Sequence, residues 1–335
     1  MNLLYLLLKT VVPAFVLAAI LTPLVIFIGK KFDIVDHPGV RKIHKTPVPL
    51  LGGLVIYITA VILVPLLDFL FFHSLTYSRE FVGLIVGATI MVCLGIVDDK
   101  IGLSAKEKFL FQTLAALAVS ILGWNIHSIS LPLIEGQIDL GLLAIPFSVI
   151  WYVGIINSVN MTDGLDGAAT GIASISFGIC AYIFHYFGQQ DFMLISLIIM
   201  GALWAFLIYN FNPAKIFLGD TGSLFLGFTI ALFATKAPSL TTPLGGHFIN
   251  SCSILVSISI LFYPLLDLSF AIIRRLAKGS SLFQPDKSHI HHKLLIYFSW
   301  NPKICALFIY FLGICGALCG IMIFNRNTNG LLGSV

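Results

Sequence analysis

The chain has 335 residues, of which 58% are hydrophobic and only 10% charged, with a formal net charge of +4. A soluble globular domain carries roughly 25% charged residues, so this composition excludes one and points to an integral membrane protein. The six cysteines, Cys93, Cys180, Cys252, Cys305, Cys315 and Cys319, fall almost all inside apolar runs with no Cys-x-x-Cys pair, which argues for small core residues and against a thiolate metal site.

Apolar runs of about 20 residues recur along the chain, each enough to cross a hydrocarbon core of about 30 Å as a helix. The expected architecture is all-α and polytopic, a single domain over 1–335 with about ten transmembrane helices, at roughly 3–29, 51–72, 80–97, 108–123, 141–159, 167–187, 192–210, 221–236, 251–273 and 302–324. The run from Leu3 to Ile28 exceeds the roughly 7 to 15 residues of a signal-peptide core, so it is expected to remain as a span. With the N-terminus outside, the loops at 30–50, 98–107, 160–166, 211–220 and 274–301 face the cytoplasm. They and the adjoining helix ends hold fifteen of the 19 lysines and arginines, leaving only Lys9, Arg79, Lys236 and Arg326 outside, a bias that orients the protein.

The first inner loop carries Arg41, Lys42, His44 and Lys45 among prolines, followed by Gly52-Gly53 at a helix start. It reads either as a basic flank that fixes topology or as an anion-binding turn. At the end of the third span, Asp98-Asp99 meets Lys100, Lys106 and Lys108. Adjacent carboxylates at a membrane boundary are costly unless paired or holding a cation, which favours a metal or catalytic role over simple solvation. The pair invites comparison with the Asp-Asp-x-x-Asp of prenyl-diphosphate enzymes, but position 102 is glycine. The segment from Trp124 to Leu140 reads as a short hairpin without chemistry.

The stretch Asn157-Ser-Val-Asn-Met-Thr-Asp-Gly-Leu-Asp-Gly-Ala-Ala-Thr-Gly171 sets Asp163 and Asp166 three residues apart among glycines. Alone it is equally well a glycine-rich turn with an aspartate cap. The next inner motif, Asn210-Phe-Asn-Pro-Ala-Lys-Ile-Phe-Leu-Gly-Asp-Thr-Gly-Ser223, again places an acid at a helix start, so two helices aim positive N-terminal ends at one surface, a geometry that suits phosphate. Asp267 lies seven residues before Arg274, about 10 Å deeper, and reads either as functional or as a structural hydrogen-bond partner. The chain then reaches Arg274, Arg275, Lys278 and Pro285-Asp-Lys-Ser-His-Ile-His-His-Lys293. Three histidines flanked by lysines point to anion binding; without thiolates or a second histidine motif, zinc is the weaker reading.

Every acidic or histidine-rich motif therefore falls at a cytoplasmic helix end, while the outer loops are bare. A transporter concentrates polar groups near the bilayer midplane. Carboxylates with basic groups at one boundary are instead the inventory of a magnesium-bridged phosphoryl transfer, with one water-soluble and one lipid substrate.

Asp98-Asp99, Asn160-Met-Thr-Asp-Gly-Leu-Asp-Gly167, Phe217-Leu-Gly-Asp-Thr-Gly-Ser223 and Ser288-His-Ile-His-His292, in this order and spacing, resemble the polyprenyl-phosphate N-acetylhexosamine-1-phosphate transferases of glycosyltransferase family 4 type. The resemblance implies attack by an undecaprenyl phosphate oxygen on the β-phosphorus of a UDP-sugar, releasing UMP, in a bacterial cytoplasmic membrane. The His-Ile-His-His form resembles the branch using UDP-N-acetylglucosamine for cell-envelope polysaccharides such as teichoic acid or lipopolysaccharide. It resembles less the phospho-N-acetylmuramoyl-pentapeptide branch, whose loop has consecutive histidines. By that resemblance Asp220 corresponds to the principal Mg2+ ligand and Asp99 to a second, with Mn2+ as substitute. Asp98 corresponds to a base or nucleophile. Asn160, Asp163, Asp166, Asn210 and Phe217 line the nucleotide pocket, with Phe217 stacking on uracil. The resemblance implies that His289, His291 and His292 contact the sugar-phosphate or diphosphate, and that Lys45, Lys106 and Lys108 are candidates to hold phosphate. The implied partners are a UDP-N-acetylhexosamine, undecaprenyl phosphate and the bilayer, with a homodimer allowed and no nucleic acid. A phosphate monoester has a second pKa near 6, so the lipid phosphate needs little deprotonation, and Asp98 then serves more in positioning or as a covalent nucleophile. An intramembrane aspartyl protease would need Gly-x-Gly-Asp, where this chain has Phe217-Leu-Gly-Asp220; a lipid-linked-sugar transporter would explain the spans but not the parity of the motifs.

Overall fold

A computed structural model describes residues 3–38, 46–129, 138–239, 253–277, 289–297 and 301–332, with Gly279 and Ser299. The chain is an all-α polytopic membrane protein. Helices α1 (Leu3–Lys31), α2 (Gly52–Leu67), α3 (Arg79–Ile101), α4 (Ala105–Ile121), α5 (Ala144–Thr162), α6 (Ala168–Tyr186), α7 (Gln190–Asn210) and α8 (Gly219–Ser239) coincide with the first eight apolar runs. Two helices, α9 (Ser253–Ile260) and α10 (Phe262–Ala277), fill the ninth. Short α11 (Ile290–Tyr297) carries the histidines, and α12 (Pro302–Leu332) closes the chain.

Local signals explain several boundaries. Ser78 caps α3 by accepting from the Phe81 amide, and Ser104 with Glu107 forms a reciprocal capping box on α4. A two-residue ribbon, β1 (Val35–Asp36) against β2 (Val48–Pro49), returns the first loop toward α2. The expected hairpin between α4 and α5 is present as β3 (Ser128–Ile129) paired with β4 (Ile138–Asp139).

Seven of the described helices are long and apolar enough to cross a membrane, and the α9–α10 pair makes an eighth if it counts as one span. Two of the ten expected spans fall short for different reasons. α4 has 17 residues, about 25 Å of helix against a hydrocarbon core of about 30 Å. α8 is the hub of the bundle, packed by α2, α3, α5, α6 and α9; buried among helices, with Thr221, Ser223 and Thr229 inside, it does not need a lipid-facing apolarity.

The ninth expected span, 251–273, needs correction: it is not one straight helix but bends by 93° at Leu261. Pro264 lies three residues into α10. It has no N–H for the Ile260 carbonyl, and its ring crowds the preceding turn. The freed carbonyl accepts instead from Ser176 Oγ on α6 at 2.7 Å, which makes the break tolerable inside the membrane.

Candidate active site

The motif-bearing helix ends meet at the start of α8. The floor of the site is backbone. Gly52 and Gly53 donate their amides to the Phe217 and Leu218 carbonyls at 3.0 and 2.9 Å, and the Phe217 amide donates to the Pro49 carbonyl at 2.8 Å. Helices α2, α3 and α8 approach so closely that a Cβ on Gly53 would stand 2.1 Å from Gly222 backbone, and one on Gly95 2.3 Å from Thr221 Cα. Gly219 opens α8 with φ +72, a left-handed conformation that favours glycine. The Gly52-Gly53 pair is therefore no anion-binding turn, because its N–H groups already serve protein carbonyls.

The neighbouring acids Asp98 and Asp99 do different work. Asp99 Oδ1 accepts the Asp220 amide at 2.8 Å, while Oδ2 accepts the Thr221 amide at 3.0 Å and Thr221 Oγ1 at 2.6 Å. It thus caps α8 from another helix, satisfying amides that a helix start leaves without internal partners. Asp98 turns to Lys108, whose ammonium lies 2.8 Å from Asp98 Oδ2 and 2.8 Å from Asp220 Oδ2. The Leu103 amide holds Asp98 Oδ1 at 2.6 Å.

Asn160 Nδ2 donates to Asp220 Oδ1 at 2.7 Å and to Ser223 Oγ at 2.8 Å, tying the end of α5 to the start of α8. Asp163 follows one turn later. Burial, then the charges of Asp220, Asp99 and Asp166, push its carboxyl well above the usual carboxylate range, against a hydrogen bond from the Gly219 amide. Asp166 Oδ2 accepts from Asn212 Nδ2 at 2.8 Å and the Ala214 amide at 3.1 Å, fixing the loop before α8.

On the other flank stand the histidines. His289 Nδ1 lies 2.8 Å from Asp267 Oδ2, and the rings of His289 and His291 are parallel at 5.8 Å, with His292 4.3 Å from His291. His291 is only 1% exposed, neither ring nitrogen has a hydrogen-bond partner among the described residues, and burial pushes its pKa down to about 4. It packs on Gly164, where a Cβ would come 2.4 Å from its Nε2. The histidine segment is thus seated on the turn between Asp163 and Asp166.

Asp98, Asp99, Asn160, Asp163, Asp166, Lys108, Asp220 and the three histidines therefore surround one locus. Other expected site residues do not join it in the expected way. Asn210 is buried: its Oδ1 accepts from Thr170 Oγ1 at 2.6 Å and its Nδ2 donates to the Ile216 carbonyl at 3.0 Å, so it braces the loop. Lys106 is exposed, about 200° around α4 from Lys108. Phe217 is half-buried beside the floor. Lys45 lies outside the described residues. Thr221, Ser223, Asn212 and Gly164 contribute contacts that were not singled out from sequence, although each sits inside a motif that was.

Among the described residues no three His, Cys, Asp or Glu side chains form a ready-made metal cage. The donor chemistry nevertheless suits a hard divalent cation: carboxylate oxygens outnumber the lysine that bridges them, and Mg2+ commonly takes only one or two protein carboxylates plus substrate phosphate oxygens.

A model of glycosyl transferase family 4 matches residues 81–237. Over 91% of this chain and 81% of the relative, 38% of residues are identical to a probable undecaprenyl-phosphate N-acetylglucosaminyl 1-phosphate transferase of Bacillus subtilis. This chain belongs to glycosyl transferase family 4. Within that family it is also 32% identical to a decaprenyl-phosphate N-acetylglucosaminephosphotransferase of Mycobacterium leprae, over 93% of this chain and 83% of the relative. Identity to a phospho-N-acetylmuramoyl-pentapeptide-transferase of Anoxybacillus flavithermus is 31%, over 92% and 95%. The family 4 match takes in every carboxylate around Lys108 but ends before the histidines, which the fold brings to the same place from outside it.

Proposed function

We propose that this family 4 protein transfers N-acetylglucosamine 1-phosphate from UDP-N-acetylglucosamine to undecaprenyl phosphate, forming undecaprenyl-diphospho-N-acetylglucosamine and UMP on the cytoplasmic face of a bacterial inner membrane. The observation that carries the reading is the Lys108 ammonium shared by Asp98 and Asp220 inside a surplus of carboxylates, with a histidine cluster packed on the Asp163–Asp166 turn. Such a site suits a diphosphate delivered with a divalent cation. The name of the Bacillus relative and the His289-Ile-His-His292 pattern favour N-acetylglucosamine over the muramoyl-pentapeptide donor.

The residues divide the work. Asp220, with Asp163 beside it, would hold Mg2+ or Mn2+, which supplies charge neutralisation at the transferring phosphoryl group. Asp99 is a weaker choice as second ligand, since three α8 donors already occupy its oxygens. Lys108 offsets phosphate charge, with His289 and His292 as further donors, while buried His291 supports their rings. Asp98 orients Lys108 and the incoming phosphate, whose oxygen already carries the nucleophilic electron pair. The lipid acceptor reaches this boundary from the bilayer beside α10, which exposes Phe270, Ile273 and Leu276.

The test incubates detergent-purified protein with undecaprenyl phosphate, Mg2+ and labelled UDP-N-acetylglucosamine and follows label into the organic phase. Metal-dependent lipid label and stoichiometric UMP are expected. Label appearing only with UDP-N-acetylmuramoyl-pentapeptide would overturn the donor, and no label with any UDP-sugar would overturn the enzyme.

A further inference from the structure

Asp267 has no part in the transfer as described, yet it is the most buried carboxylate among the described acids, 1% exposed on α10. Both of its oxygens are engaged. Oδ2 lies 2.8 Å from His289 Nδ1, and Oδ1 accepts the Ile290 amide at 2.8 Å. Ile290 is the first residue of α11. One side chain therefore caps the helix bearing the histidines and grips the ring of the first of them, across 22 positions of sequence.

A carboxylate only accepts hydrogen bonds, so the shared proton sits on Nδ1 and the second nitrogen, Nε2, is left as the ring's other working atom. A neutral imidazole free of this contact would exchange between tautomers and rotate. The stacking of His289 on His291, parallel to within 6° at 5.8 Å, carries the orientation along the cluster. The 93° bend between α9 and α10 swings Asp267 to the end of the bundle where the histidines lie.

We propose that Asp267 is a positioning residue for the transfer: it takes up the Nδ1–H of His289 and seats the whole histidine segment, so that the protonated ring turns its Nε2–H alone to the sugar diphosphate. The inference rests on the transferase reading, because it assigns His289 a substrate phosphate to meet.

The deciding variant is Asp267→Asn. Its amide oxygen still accepts from the Ile290 amide, but its NH2 faces Nδ1, which must then keep its lone pair, so the ring holds one proton on Nε2 and cannot carry the second. The expected result is a 10- to 1000-fold fall in kcat, with KM for UDP-N-acetylglucosamine within threefold and a thermal midpoint within a few degrees. In a His289→Gln background the same substitution should cost nothing more, since its route of action is gone. Selective 15N-histidine NMR should show one ring losing its Nδ1 proton between wild type and Asp267→Asn. Wild-type kcat in Asp267→Asn, or full activity in His289→Gln, overturns the proposal. So does an undiminished loss in the His289→Gln background, which would mean that Asp267 serves only the fold. If the wild-type protein transfers nothing from any donor, the transferase reading fails by itself, and the NMR comparison still decides whether Asp267 holds the Nδ1 proton.

Discussion

The two ends of the α3–α8 pair carry opposite kinds of charge arrangement. At one end Lys236 on α8 meets Glu80 on α3, with Nζ 2.8 and 2.9 Å from the two carboxylate oxygens, and Trp124 Nε1 donates to the Glu80 carbonyl. One acid answers one base. At the other end Asp98, Asp99, Asp163, Asp166 and Asp220 gather around Lys108, which two of them share. A balanced pair inside a bundle needs nothing further and reads as architecture. An unbalanced cluster is costly to keep without a ligand, which is why the family chemistry belongs at the Asp98 end.

Substitutions should separate the two ends. Asp220→Asn keeps the shape of its side chain but removes charge from the surplus; transfer should fall by about three orders of magnitude or more, with the thermal midpoint nearly unchanged. Lys108→Met leaves the Asp98 and Asp220 carboxylates facing each other. Transfer should drop about 100-fold, and thermal melts in chelator should show a lowered midpoint that added Mg2+ restores by more than it shifts the wild type. A midpoint indifferent to Mg2+ would argue that these carboxylates bind no cation.

The histidine flank should respond to acid. His291 has its folded pKa lowered to about 4 from an ordinary 6.5, so the fold binds its proton less tightly than the unfolded chain. Its contribution is fully present above pH about 6.5 and is lost as the pH falls through about 4, amounting to about 3 kcal/mol. A melt series over that window should steepen on the acid side, and His291→Phe should flatten it. The smallest effect belongs to Lys236→Met at the balanced end: about 1 to 2 kcal/mol of stability, read by denaturation in mixed micelles, with kcat/KM within twofold. A large loss of transfer there would dissolve the distinction between the two ends.

Much of the fold was legible because membrane spans announce themselves by length and apolarity, and the motif carboxylates did converge. The sequence was silent where geometry is non-local. Asp98 and Asp99 are adjacent, and only the position of α8 decides that one faces Lys108 while the other caps a helix. Lys106 and Lys108 looked equivalent until α4 was set against α3. The expected span over 251–273 passed over Pro264, and the partner that makes its break tolerable is Ser176, 84 residues from Ile260. Asn210 and the Gly52-Gly53 amides looked available for a ligand because their intramolecular partners, Thr170, Ile216, Phe217 and Leu218, lie on other segments.

The glycine contact beneath the site has an evolutionary corollary. Because Gly53, Gly95 and Gly222 let backbone touch backbone, the spacing between the Asp99 cap and the Asp220 ligand position is set by main chain and leaves no side chain for drift to resize. Room to change the donor preference of such a scaffold lies in whatever overhangs this platform, because a side chain added at these glycines would meet backbone.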